Sequence, residues 1–167
     1  MKVFGVCGVT QSGKTTTIER IIGESCARGY RVGSVKEIHN ETFAIDPDAS
    51  SNTRRHRAAG AELVCARGLN ETDFLFPSKL PMPKILSLYD GCDYVVLEGV
   101  TDIPVPVITT AHTEKDLKEK LSPHTFCISG RIAESIKDYN GIPAVDAVSN
   151  AAAITDLIES KVKEYEF

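Results

Sequence analysis

Two glycines, a lysine and a threonine lie near the start of the chain at a spacing that can bind phosphate. Gly8 is followed by four residues and then by Gly13, Lys14 and Thr15. Glycines allow backbone angles and a close approach that a Cβ atom would prevent, so the intervening N–H groups can point at an anion. A lysine here suits the β- and γ-phosphates, and a threonine hydroxyl suits Mg²⁺. The spacing therefore predicts a phosphate-binding loop (P-loop) for a purine nucleoside triphosphate with Mg²⁺.

The elements around this loop are those that a P-loop needs. Residues 3–7 form an apolar run that predicts a buried strand, and from Thr15 onward apolar residues recur at helical spacing. A second predicted strand at 31–36 completes a β–α–β unit, whose strands pair in parallel. Lys14 is also a predicted catalytic residue. The predicted nucleotide-binding residues are Gly8, Thr10, Gln11, Ser12, Gly13, Lys14, Thr15 and Thr16.

Glu98 is the second predicted catalytic residue and, with Thr15, a predicted Mg²⁺ ligand. It directly follows residues 94–97, an apolar run typical of a central strand. A carboxylate there lies at the carboxyl edge of the sheet, where open α/β folds bind ligands. It could hold the metal through water or orient the attacking water. The alternative is a solvated carboxylate at a strand end.

A polar segment at residues 37–58 lacks clear periodicity and is predicted to be irregular and mobile. Asp46 in this segment is the third predicted catalytic residue, because loops of this kind close over the γ-phosphate with a carboxylate near the metal. The alternative is an ordinary polar surface loop. Residues 54–57, three arginines and a histidine, could bind an anionic second substrate or a partner, or could simply face solvent.

The remaining periodicities predict an α/β protein, namely a three-layer P-loop NTPase sandwich with a mostly parallel sheet and an antiparallel hairpin insertion. Residues 63–66 and 72–76 are the predicted hairpin strands. Residues 105–109 form another predicted strand, and predicted strands at 125–128 and 142–145 complete the sheet. Two further helices are predicted to start at residue 113 and near residue 150. The length of 167 residues favours a single domain, residues 1–167.

Composition restricts the partners and the location. The net charge of −4 offers no basic field for nucleic acid, so no nucleic-acid partner is expected. No apolar run approaches the ~20 residues that a membrane helix needs, so no membrane partner is expected either. Because the P-loop begins at Gly8, no room is left for a signal peptide, and a cytoplasmic protein is expected. The five cysteines contain no C-x-x-C pair, which argues against a disulfide framework or a zinc site.

The residues do not indicate which base the nucleotide carries. A guanine-reading Asn/Thr-Lys-x-Asp motif is expected after a late strand, but in Thr113-Glu114-Lys115-Asp116 the lysine is displaced by one position. Asp116 also lies where a helix-capping residue would, so we interpret it as a cap and not as a guanine reader. GTP and ATP both stay open at this point.

Taken together, these stretches resemble the MobB family of molybdopterin-guanine dinucleotide biosynthesis adapter proteins. The resemblance rests on the P-loop near the N-terminus and on four further stretches in the same order. These are RVGSVK at 31–36 with His39 following, FAID at 43–46, RHRAAGA at 55–61 and VVLEG at 95–99. The chain differs from the usual family pattern at Glu37, where a histidine is usual, and at residues 51–53, where Lys-Asp-Ser is usual.

The resemblance implies a weakly hydrolysing protein that binds GTP and Mg²⁺ and is commonly a homodimer. Its implied partners are a MobA-type nucleotidyltransferase and molybdopterin, to which that enzyme attaches GMP. Two other classes stay open. A small-molecule kinase would use Arg54, Arg55 or Arg131 on the transferred phosphoryl group. A metal-delivery GTPase would need a Cys/His cluster, and the spacings in this sequence do not supply one.

Overall fold

The computed structural model describes residues 1–40, 42–44, 48 and 50–166. It divides into two compact units. The larger unit comprises Met1–Glu37 and Leu86–Phe167, and the smaller comprises Ile38–Ile85. This division into compact units does not test whether the chain is a single domain, so a single domain stays a prediction.

Strands and helices alternate along much of the chain. The strands are β1 (Lys2–Gly8), β2 (Val32–Lys36), β3 (Val64–Arg67), β4 (Thr72–Leu75), β5 (Tyr94–Glu98), β6 (Val107–Thr110), β7 (Thr125–Ser129), β8 (Asp138–Tyr139) and β9 (Ile142–Pro143). The α-helices are α1 (Lys14–Ala27), α2 (Asn52–Ala58), α3 (Met82–Leu86), α4 (Glu114–Lys120) and α5 (Ala151–Lys161). Short 3-10 helices are formed by Ser87–Tyr89 and Arg131–Glu134.

Five strands of the larger unit form one parallel sheet in the order β2-β5-β1-β6-β7. The strand β1 is central, and its Val6 pairs with Glu98 at the end of β5. Lys36 at the end of β2 pairs with the same glutamate. The carboxyl ends of these three strands therefore meet at one edge of the sheet. This arrangement confirms the predicted α/β fold with a mostly parallel sheet.

Among the described residues, an apolar core lies on each face of the sheet. The first core packs α1 and α5 on the sheet and includes Phe4, Val6, Ile18, Ile21, Tyr94, Val96, Ile108, Cys127, Ile154 and Ile158. In the second core Leu117 of α4 is grouped with Ile128 and Ile132. Each apolar side chain of this size that is fully buried contributes about 1.5–3 kcal/mol relative to exposure. The result is the predicted order of helices, sheet and helix in three layers.

The smaller unit contains the predicted hairpin. The strands β3 and β4 pair antiparallel, with Val64 opposite Leu75 and Arg67 opposite Thr72. The turn is closed by the Gly68 N–H, which donates to the Glu71 carbonyl at 2.9 Å. The predicted hairpin insertion is therefore confirmed.

The prediction of an irregular segment at residues 37–58 is wrong for Asn52–Ala58, which form α2. Ser51 caps this helix, because its hydroxyl accepts from the N–H of Arg54. The last turn carries basic side chains, which are favourable at the negative end of the helix dipole. A cap and a dipole partner thus stabilise a helix that hydrophobic periodicity does not reveal.

The prediction that residues 142–145 complete the main sheet is also wrong. Ile142–Pro143 instead pairs with Asp138–Tyr139 in a separate two-stranded sheet. A single parallel bridge joins Ala144 to Ile128 in β7. Pro143 has no N–H group to donate, which disfavours a longer ladder.

Candidate functional site

The P-loop joins the end of β1 to the start of α1 and is shaped by its two glycines. At Gly8 a Cβ atom would lie 2.1 Å from the carbonyl oxygen of Thr110, so only glycine fits beside β6. Gly13 has φ 100° and ψ 14°, a left-handed conformation that favours glycine. Both glycines of the motif are therefore required by the local geometry.

The helix α1 begins without a side-chain cap. Its N-cap residue is Gly13. The N-cap residues of α2, α4 and α5 are Ser51, Thr113 and Asn150, whose side chains each accept from a first-turn N–H. The first N–H groups of a helix have no partners within the helix and carry its partial positive charge. An anion at the P-loop can therefore take the place that a capping side chain holds on α2, α4 and α5.

Lys14 folds back onto the P-loop. Its Nζ donates to the carbonyl of Val9 at 2.7 Å and to the carbonyl of Gly8 at 3.1 Å. An ammonium group bonds more strongly to phosphate oxygens than to neutral carbonyls. The side chain is thus held at the loop by acceptors that a phosphate group can replace.

Thr15, Glu98 and Lys36 converge at the carboxyl edge of the sheet. The Thr15 hydroxyl donates to Oε1 of Glu98 at 3.3 Å, and Nζ of Lys36 lies 3.0 Å from the same oxygen. The Glu98 side chain is only 15 % exposed, whereas that of Lys36 is 59 % exposed. The structure therefore brings together the two predicted Mg²⁺ ligands and adds a lysine to which the sequence assigned no role. The feature of the sequence that could have pointed to Lys36 is its position as the last residue of a strand that ends at this edge.

Ser12 is fully buried and ties the P-loop to β6. The hydroxyls of Ser12 and Thr110 lie 2.7 Å apart. The Ser12 hydroxyl also donates to the Val9 carbonyl at 2.8 Å, and the Thr110 hydroxyl donates to the Cys7 carbonyl at 3.2 Å. The Ser12 side chain therefore shapes the loop from inside the fold. A contact between Ser12 and a ligand would have to come from its main chain.

Gly130 packs directly on the P-loop, although sequence analysis assigned it no role. It follows β7 and has φ 78°, and a Cβ atom on it would lie 2.2 Å from the carbonyl oxygen of Ser12. Gly130 also lies close to Gly13 of the P-loop, since a Cβ atom on Gly13 would be 3.3 Å from the Cα of Gly130. No motif marks this glycine, and only its place after a predicted strand could have drawn attention to it.

The other predicted nucleotide-binding residues, Thr10, Gln11 and Thr16, are exposed at the loop and at the first turn of α1. The carbonyl of Thr10 lies 3.2 Å from Nε2 of His112, which follows β6. Gln11 has φ 59°, an uncommon conformation for a residue with a side chain. Asp46, the third predicted catalytic residue, lies outside the described residues, so its role stays a prediction.

Asp116 caps α4. Its N–H donates to the Thr113 hydroxyl at 3.2 Å, and its carboxylate accepts from the N–H groups of Thr113 and His112 at 3.1 and 3.2 Å. This reciprocal pair is a capping box. The interpretation of Asp116 as a capping residue is therefore confirmed.

Metal-binding clusters and membrane-spanning helices were both sought among the described residues. No three His, Cys, Asp or Glu side chains there are grouped so that they could hold a metal ion. No helix in the same ranges is both long enough and apolar enough to cross a bilayer.

The fold and the loop together define the class of protein. A central parallel strand leads through a glycine-bounded loop with Lys14 and Thr15 into a helix, which is the arrangement of P-loop proteins. The family model of MobB, "Molybdopterin guanine dinucleotide synthesis protein B", matches residues 3–128. The chain belongs to this MobB family.

Relatives and solved structures agree with this membership. The "Probable molybdopterin-guanine dinucleotide biosynthesis adapter protein" of Bacillus subtilis is 25% identical over 163 residues, which cover 96% of this chain and 93% of the relative. The "Molybdopterin-guanine dinucleotide biosynthesis adapter protein" of Haemophilus influenzae is 27% identical over 161 residues, which cover 89% of this chain and 88% of the relative.

Two MobB crystal structures share the fold. That of Bacillus subtilis MobB superposes with a TM-score of 0.75 at 24% identity, covering 99% of this chain and 100% of that one. That of a MobB homolog from Bacillus stearothermophilus superposes with a TM-score of 0.69 at 20% identity, covering 96% and 97%. At these identities the likeness shows the fold alone.

Proposed function

We propose that this protein binds GTP with Mg²⁺ and serves as an adapter in the biosynthesis of molybdopterin-guanine dinucleotide. In this role it assists a MobA-type nucleotidyltransferase that attaches GMP to molybdopterin. Membership of the MobB family supports the proposal, as do relatives that are named as adapter proteins of this biosynthesis. The proposal includes a homodimer and a location in the cytoplasm, where GTP is available.

The placement of Lys14 beside the uncapped start of α1 is the observation that carries the nucleotide part of the proposal. The Lys14 ammonium lies 2.7 Å from the Val9 carbonyl of the P-loop. The helix α1 begins directly after this loop, and its N-cap residue, Gly13, has no side chain to cap it. These groups are all donors, and a triphosphate supplies acceptors with the opposite charge. A loop that bound no anion would have no need of a lysine at this position.

The residues at the carboxyl edge of the sheet fit Mg²⁺. This ion prefers oxygen ligands and commonly uses one or two protein groups together with phosphate oxygens and water. The Thr15 hydroxyl and the Glu98 carboxylate are such oxygens, 3.3 Å apart. When bound there, Mg²⁺ would neutralise charge on the β- and γ-phosphates. Lys36 places a further positive charge beside Glu98.

Slow hydrolysis is expected from the protein alone. Rapid phosphoryl transfer needs an oriented water and an arginine or equivalent charge at the transition state. The Lys36 ammonium lies 3.0 Å from the Glu98 carboxylate, which offsets its charge, so Lys36 does not supply the charge that an arginine would bring to the transition state. A partner protein that supplied the missing charge would accelerate the reaction.

The smaller unit offers a place for an anionic group. A cavity of about 300 Å³ there is lined by Arg54, Arg57, Ala58 and Pro77. Two guanidinium groups beside apolar atoms suit a ligand that carries both a phosphate and a ring system. We include molybdopterin as the candidate for this cavity.

Calorimetric titration of the purified protein with GTP and with ATP, each with Mg²⁺, tests the nucleotide part. GTP should bind more tightly, by about ten-fold or more if a single paired contact reads the base. The isolated protein should turn GTP over slowly. Tighter binding of ATP, together with a phosphorylated acceptor, would instead indicate a small-molecule kinase. Rapid hydrolysis by the protein alone would contradict the missing-charge argument.

Glu98→Gln should impair GTP hydrolysis more than GTP binding. The substitution removes the charge beside Thr15 and leaves the P-loop N–H groups and Lys14 in place, so turnover should fall by about ten-fold or more. Single-turnover hydrolysis and calorimetry on the same sample measure the two effects separately. Glu119→Gln, on the exposed surface of α4, is the matched control. Unchanged turnover with a normal Mg²⁺ requirement would reduce Glu98 to a structural strand-end residue.

A further inference from the structure

A second cavity lies against the P-loop on the side away from Glu98. It has a volume of about 250 Å³ and belongs entirely to the larger unit. One part of its lining is Gln11, Gly13 and Thr16, from the P-loop and the first turn of α1. The other part includes Arg131, Asp146 and Val148, from the segments that follow β7 and precede α5.

The order of the strands separates the two ends of the site. The strands β5 and β2 lie on one side of β1, and their ends carry Glu98 and Lys36. The strands β6 and β7 lie on the other side, and the Gly130 contact brings the segment after β7 against the P-loop. A nucleotide with its triphosphate on the P-loop and its metal at Glu98 would therefore extend its base toward the second cavity.

We propose that this cavity binds the nucleotide base and that Asp146 selects guanine. The inference rests on the proposed function, because it assumes that the P-loop holds a nucleoside triphosphate. It goes further by assigning a base site, and a residue that chooses the base, in a chain whose sequence shows no guanine-reading motif. Asp116, the nearest match to such a motif, is committed to the capping of α4.

The main chain holds the Asp146 carboxylate in place. One carboxylate oxygen accepts from the Val148 N–H at 3.0 Å and the other from the Ser149 N–H at 3.2 Å. A carboxylate has about four lone-pair positions, so Asp146 can accept from a ligand in addition to the main chain. Hydrogen bonding by Ser149 and by the Val148 N–H lowers the pKa of Asp146, and the group stays ionised at neutral pH. Asp146 is therefore an anchored group that can only accept.

Guanine and adenine differ at the edge that such a group contacts. Guanine presents two donors side by side, the N1–H and the 2-amino group, which match the two oxygens of a carboxylate. Adenine presents an unprotonated N1, whose lone pair faces a carboxylate unfavourably, and it has no amino group at C2. Asp146 would thus favour GTP and disfavour ATP through the same two oxygens.

The cavity also offers groups for the faces of the base. Val148 is 59% exposed although its side chain is apolar, and Arg131 presents a planar cation. Apolar and guanidinium surfaces both pack well on the flat face of a purine. A base bound in the cavity would cover the exposed Val148 side chain.

Asp146→Asn is the test of this proposal. It exchanges one acceptor for a donor, so GTP affinity should fall by about ten-fold or more. Xanthosine triphosphate carries an oxygen where GTP carries its 2-amino group, so the asparagine variant should gain affinity for it by a similar factor. Asp138→Asn is the matched control, since Asp138 also accepts from a turn N–H, that of Gly141, and does not line the cavity. Its GTP and xanthosine triphosphate affinities should equal those of the parent.

A measurement on the parent keeps the test decisive if the variant folds poorly. Inosine triphosphate lacks only the 2-amino group of GTP, so the parent should bind it about ten-fold more weakly. Equal binding of the two by the parent would overturn the inference, as would a folded Asp146→Asn protein with the GTP preference of the parent. In both cases the parent still binds GTP, so the proposed function stands. A parent that bound no nucleotide would instead overturn the proposed function together with the inference.

Discussion

Lys14→Ala is expected to weaken Mg²⁺–GTP binding by about 100-fold or more, which corresponds to about 2.7 kcal/mol. The ammonium group is the one full positive charge within the P-loop, at residues 8–15, and charge-assisted bonds to phosphate are the strongest contacts that such a loop makes. Calorimetry with GTP in the presence of Mg²⁺ measures the effect. The fold should persist, because among the described residues Lys14 bonds to the main-chain carbonyls of Val9 and Gly8 alone and belongs to neither of the two apolar cores named above.

Lys118→Ala is the control for this experiment. Lys118 lies on the exposed surface of α4, so its removal changes the net charge equally without touching the P-loop. Its GTP affinity should match that of the parent. If Lys14→Ala retained the affinity of the parent while its circular dichroism spectrum was unchanged, the assignment of residues 8–15 to phosphate binding would have to be abandoned.

Gly130→Ala is expected to lower the free energy of unfolding by about 3 kcal/mol or more and to weaken nucleotide binding as well. The backbone of Gly130 has φ 78° and ψ −164°, a region that side chains disfavour strongly. An added methyl group would also lie 2.2 Å from the Ser12 carbonyl oxygen, and it can be accommodated only if the P-loop moves. Denaturant unfolding and GTP titration together measure the two consequences.

Gly141→Ala separates backbone strain from the contact with the loop. Gly141 has φ 82°, close to that of Gly130, but a Cβ atom on it would meet nothing within 4 Å. This variant should lose about 1–2 kcal/mol of stability from the backbone alone and should bind GTP normally. Equal losses of stability and affinity in the two variants would show that the Gly130 contact does not shape the P-loop.

The parts of the site that sequence predicted are those with local signals. The P-loop has a fixed spacing, and the strand before it and the helix after it differ in hydrophobic period. The position of Glu98 at the end of a central strand could be predicted because this acidic residue directly follows an apolar run. The hairpin of β3 and β4 could be predicted because two apolar runs flank a turn that contains Gly68.

The parts that sequence missed depend on which strands become neighbours. Lys36 meets Glu98 only because β5 lies between β1 and β2 in the sheet, and no local pattern states that order. Thr110 and Gly130 are far from the P-loop in sequence and contact it only in the folded protein. The residues around each of them in the sequence are those of an ordinary strand end. The two errors of secondary structure have local causes: Ser51 caps a short helix that has no periodicity, and Pro143 interrupts a strand that hydrophobicity alone favours.

The contacts of Ser12 with Thr110 have a consequence for the order in which the protein is made. These two residues are 98 positions apart, and the buried contact between Thr17 and Ser129 spans 112. During synthesis the P-loop therefore leaves the ribosome long before the strands that hold it in shape. Long-range contacts of this kind form late, since the closure of long loops costs entropy before any contact compensates for it. When β1 and α1 have left the ribosome but β6 and β7 have not, the nascent chain contains the complete motif. It still lacks the contacts with β6 and β7 that hold the P-loop in its binding conformation.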